Sequence, residues 1–156
     1  KLNIMSEFFG SIYCWLEDFF GIELAEYLWG ESSPEQLSNM FIGIGLTMLV
    51  ISLIVAVCYY YIINHPRLNN WWGWLIFLGI NAVINFVVGW QWVLKDYYAG
   101  LMVKKDAATQ KMVDLPIYSD DIIAFGVTNM LDAIIAFIIF SYIIKWWSTN
   151  CSRAPF

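Results

Sequence analysis

Few side chains in this sequence are of a type and placement that could do chemistry, and the foremost is a single carboxylate. Asp132 is the single charge within the largely apolar stretch 122–144. A charge held near the middle of a bilayer costs ~2.5–3.5 kcal/mol on insertion scales, so such a residue marks a functional position by default. Three roles suit it: a hydrogen-bonded contact that fixes helix register, a place on an ion or proton route, or a pairing with another protein's basic side chain. No Lys, Arg or His of this chain falls at its depth.

Three amides accompany it. Asn81 and Asn85 are one helical turn apart and share a face, and Asn129 precedes Asp132 by about a turn. Running the two stretches antiparallel about centres near residues 83 and 133 brings Asp132 close to the level of Asn85. A cross-helix hydrogen bond there is worth ~0.6–2 kcal/mol in lipid. Asn81, Asn85, Asn129 and Asp132 therefore form one intramembrane polar set, suited to helix packing or to lining a pore.

Other chemistry is poorly supplied. His65 is the single histidine, in a short connection before Pro66, with no further ligands at metal-binding spacing. Cys14, Cys58 and Cys151 have no paired spacing, which argues against a metal site or a disulfide framework. There is no histidine cluster, no serine in a glycine elbow and no cysteine pair, so the sequence implies neither an enzyme nor a cofactor. The basic residues make no cluster beyond Lys104 and Lys105, which speaks against nucleic acid as a partner.

The elements that must position these residues follow from composition. Apolar residues make up 60% of the chain and charged ones 13%, against roughly 45–50% and 25% in soluble domains. A chain of 156 residues cannot bury that much apolar surface within itself, and the excess must face lipid or protein. The fold class is therefore all-α and integral to a membrane: three transmembrane helices preceded by an amphipathic interfacial helix.

The spans are expected at about 37–63, 71–94 and 122–144, within a bundle covering 33–147. Ser33, Pro34, Glu35 and Gln36 read as a cap, a first-turn proline and a capping box, and Pro66 ends the first helix by restricting His65. Trp71, Trp72 and Trp74 mark one membrane interface of the second span; Trp90, Trp92, Lys95, Tyr97 and Tyr98 mark the other. Ser119, Asp120 and Asp121 suit the N-terminus of the third. In the loop 95–120, residues 97–103 read as an extension of the second helix, 104–106 open a mixed-charge turn, and 112–118 form an apolar strip. The tail 148–156 is short.

Residues 1–32 form the N-terminal segment. Projected at 100° per residue, Phe8, Ile12, Trp15, Leu16 and Phe19 fall on one face and Glu7, Glu17 and Asp18 on the other. Several unpaired carboxylates disfavour a spanning helix, so the segment reads as lying in the membrane plane, bent at Gly21. Glu17, Asp18, Trp15 and Phe19 are the candidates for docking a partner protein.

Sidedness is weakly encoded. The N-terminal segment and second loop carry Lys1, Lys95, Lys104, Lys105 and Lys111 with every acid except Asp132, whereas Arg67, Lys145 and Arg153 on the opposite side have no acid beside them. A count of Lys and Arg favours the first side as cytoplasmic, but its lysines all have acidic company, which tips the expectation toward N-out and C-in in a plasma (inner) membrane. Functionally the sequence points to a non-catalytic subunit that assembles with itself or with partner membrane proteins. The alternative is a homo-oligomeric channel lined by the polar set.

Overall fold

The computed structural model describes residues 4–30, 39–62, 70–105 and 111–146. The cap signature at 33–36, His65, Arg67, Cys151 and the tail 148–156 lie outside the described residues. Helices account for nearly all of what is described. They are α1 (Ile4–Cys14), α2 (Glu17–Phe20), α3 (Ile22–Trp29), α4 (Met40–Val57), α5 (Trp71–Tyr98) and α6 (Ser119–Lys145), joined by one two-stranded ribbon, β1 (Val103–Lys105) and β2 (Met112–Asp114).

Among the described residues three helices are long and apolar enough to cross a membrane: Met40–Ile62, Trp71–Tyr98 and Ser119–Lys145. At 1.5 Å per residue they run about 35–42 Å, more than the ~30 Å hydrocarbon core. The first described turn of the first span opens at Asn39, whose side chain accepts from the Phe41 N–H at 2.8 Å and caps α4 at Met40. The span ends in a π-helical turn, Cys58–Ile62, that buries Tyr59 and Tyr60. The second is capped by Asn70, accepting from the Gly73 N–H at 3.0 Å. In the third, Asp121 accepts from the Tyr118 N–H at 2.9 Å, a first-turn carboxylate meeting an otherwise unbonded donor.

The second loop departs from expectation. Helix α5 stops at Tyr98, and Gly100 takes φ +66, which turns the chain out of the helix. Val103, Lys104 and Lys105 then pair with Asp114, Val113 and Met112 in an antiparallel ribbon, so Val103 belongs to a strand and not to a helical extension. Met102 and Ile117 at the base of the ribbon are buried in one cluster with Phe20, Leu24 and Leu28 of the N-terminal segment. Loop and segment thus form a single cap on the acidic side.

The N-terminal segment breaks twice, after Cys14 and at Gly21, where φ is +96. Its inward face is Phe9, Tyr13, Phe20, Leu24 and Leu28, all buried. Phe8, Trp15 and Phe19 of the face projected from sequence are instead exposed. The reason is that a membrane protein is apolar outward as well as inward, so hydrophobicity does not tell the two sides apart, and the break at Trp15 resets the helical phase. Inward placement follows from ring fit: Tyr13 stacks on Phe41 at 5.1 Å, and Phe20 meets Phe125 edge-on at 5.3 Å.

Candidate functional site

Helices α5 and α6 run antiparallel, and small residues bring them close. The Cα of Gly89 lies so near Asn129 that an added Cβ would sit 2.9 Å from its Cβ. Gly126 receives the Phe86 ring and Trp90 in the same way. Into this seam the sequence places three amides, and the structure joins them. Asn81 donates to the Ala133 carbonyl at 2.9 Å. Asn85 donates to the Asn81 carbonyl at 3.0 Å and to its side-chain oxygen at 3.1 Å. Asn129 donates to the Asn85 carbonyl at 2.7 Å and accepts the Tyr13 hydroxyl at 2.7 Å.

All four side chains in this ladder are fully buried. Where no water can solvate an amide, each hydrogen bond spares the cost of an unmet polar group. The ladder therefore ties α5 to α6 and, through Tyr13, ties α1 to both. Burial also holds the Tyr13 hydroxyl above the ordinary phenol range. This hydroxyl was not singled out from sequence. Its signal was a tyrosine four residues after Phe9 on one face, because a buried phenol requires a partner.

Asp132 does not join the amides. Three residues beyond Asn129 is a rotation of 300°, or about 60° short of a full turn, which moves its side chain off the α5–α6 seam. The expected Asn85–Asp132 pair is replaced by Asn85–Asn129. Asp132 instead faces the Trp15 side chain of the N-terminal segment across a shared groove. It is the central residue of α6, thirteen positions from either end, or about 20 Å along the axis. Helix α1 itself meets the start of α4 near both ends, through Ser6 with Asn39 and Tyr13 with Phe41, and the Trp15 side chain beyond it reaches toward Asp132.

The carboxylate faces a groove of about 500 Å³ whose walls are almost wholly apolar. Helix α6 supplies Asp132, Ile135, Ala136, Ile139 and Phe140, the i, i+3, i+4, i+7 and i+8 pattern of one helical face. Met48 and Leu49 of α4 line one side, and Phe8, Ile12 and Trp15 the other. Asp132 is 5% exposed, and its Oδ2 has no hydrogen-bond partner among the described residues.

Of the docking candidates, Trp15 belongs to this groove. Phe19 and Asp18 remain exposed, while Glu17 is half-buried beside Cys14. Burial and Glu17 together push the Cys14 thiol up to about 11. Among the described residues no group of three His, Cys, Asp or Glu side chains could hold a metal ion. No family model matches the chain, and neither does any curated protein or solved structure.

Proposed function

We propose that this multi-span chain is a non-catalytic subunit that assembles with itself or with partner membrane proteins as a scaffold or assembly component of a membrane complex. The observation that carries the reading is the amide ladder. Asn81, Asn85 and Asn129 are hydrogen-bonded inside the bundle, so its polar residues serve its own cohesion and the face turned outward is apolar. Half or more of the residues in each spanning stretch are not buried within the chain. Beside them the cap presents Phe19 and Ile22 with Asp18 and Glu23, a mixed acidic and aromatic surface suited to protein contact. From the acidic company of the lysines on the cap side we infer a plasma (inner) membrane with the cap outside. Labelling of a Lys104→Cys variant by a membrane-impermeant maleimide on intact cells tests that sidedness.

The test of assembly is the mass of the protein in lipid nanodiscs, with co-purifying chains identified. An oligomer or a hetero-complex supports the proposal, and a monodisperse monomer with no second chain refutes it. A channel lined by Asn81, Asn85, Asn129 and Asp132 is the competing reading. The burial of the three amides between α5 and α6 weighs against it, because a pore needs those groups facing water. A bilayer conductance of the wild-type chain that Asp132→Asn alters would favour it over the scaffold.

A further inference from the structure

The Asp132 groove combines two features that are rarely wasted in lipid: a preformed apolar space, and a carboxylate oxygen with nothing to bond. The space, about 500 Å³, is within the ~300–1,000 Å³ of small-molecule sites. The carboxyl is 5% exposed, with Oδ2 unpartnered among the described residues. Trp15 approaches the same group, which leaves one oxygen for an outside donor.

The shape selects the occupant. From Asp132 to Phe140 the floor of the groove is eight residues of α6, or about 12 Å. A slender hydrocarbon chain fits between Phe8 and Met48, with its head at Asp132. Charge selects the head. The basic side chains among the described residues, Lys95, Lys104, Lys111 and Lys145, belong to positions at or beyond helix ends, so none of these meets the acid. An ion buried in apolar surroundings is tolerated when paired and hydrogen-bonded.

We propose that the groove binds a single-chain amphiphile with a primary amine head, its chain lying along Ile135, Ile139 and Phe140 and its nitrogen at Asp132 Oδ2. One proton is shared between amine and carboxyl, so the bound pair is neutral overall whichever of the two brings it. This goes beyond the assembly role and does not depend on it.

The test uses the full chain in phosphatidylcholine nanodiscs and three photoreactive alkyl probes of equal length, bearing an amine, an alcohol or a carboxylic acid. The amine should label peptides containing Trp15 or Asp132 at least tenfold more strongly than the other two. Asp132→Asn should cut that labelling at least tenfold. Ile135→Trp, which fills the groove from a position 47% exposed, should do the same with Asp132 intact, which guards against a variant that simply misfolds. Equal labelling by amine and alcohol overturns the pairing with Asp132. Labelling that neither variant reduces, or none at saturating probe, overturns the site. Loss of a co-purifying chain in Asp132→Asn without amine labelling would also overturn it, in favour of a partner's basic side chain.

Discussion

One contact that holds the N-terminal segment on the bundle is the 2.7 Å hydrogen bond from the Tyr13 hydroxyl to Asn129 Oδ1, and removing it should have a measurable cost. Tyr13→Phe deletes one oxygen and leaves the ring stack on Phe41 in place. Asn129 Oδ1 then loses its donor in a fully buried position, so the expected loss is about 1–3 kcal/mol. Asn129→Ala removes that acceptor and the bond to the Asn85 carbonyl as well, and should cost about 2–4 kcal/mol. Because the two changes share one bond, the double variant should fall short of their sum by about 0.6–1.7 kcal/mol. The assay is unfolding by dodecyl sulfate in mixed micelles, followed by far-ultraviolet circular dichroism, with all four proteins measured together. Independent sites add within about 0.3–0.5 kcal/mol. A coupling inside that range, with Tyr13→Phe itself near zero, would refute the docking of α1 on α6.

The remaining predictions concern close approach, reactivity and a surface pair. Gly89→Ala places a methyl 2.9 Å from Asn129 Cβ and should destabilise by about 1–3 kcal/mol. Gly79→Ala in the same helix meets nothing within 4 Å, and should be neutral or stabilising by up to about 1 kcal/mol in the same unfolding assay. A Cys58→Ser, Cys151→Ser background isolates Cys14. Its thiol, raised from 9.0 to about 11, is almost wholly protonated at pH 8, and maleimide labelling should be about a hundredfold slower than for an ordinary exposed thiol. The rate should climb about tenfold per pH unit until pH approaches 11, and Glu17→Gln should speed it at fixed pH. Labelling at the ordinary rate would show the thiol to be unburied. The ion pair of Lys104 with Glu26, at 3.2 Å, joins two exposed side chains, so Lys104→Ala should change unfolding by less than ~1 kcal/mol.

The sequence by itself determined the class of fold and the depth of the polar residues. Long uncharged stretches, bounded by tryptophans and by charges, can satisfy their backbone in lipid only as helices, and the three spanning helices lie where those stretches are. A one-turn spacing put Asn81 and Asn85 on a shared face, and antiparallel pairing brought the third span's polar residues level with them. Tertiary structure decided which residue met which. The difference between Asn129 and Asp132 is a rotation about α6, and only the packing of α5, fixed by Gly89 and Gly126, says which of the two points into the seam. The inward face of the N-terminal segment was hidden for a related reason. Phe8 and Phe9 are equally apolar, yet Phe9 packs over Gly45 and Phe8 turns outward. In water, burial would sort such neighbours by hydrophobicity. In a membrane, shape and hydrogen bonding must do it, and both are properties of the assembled bundle.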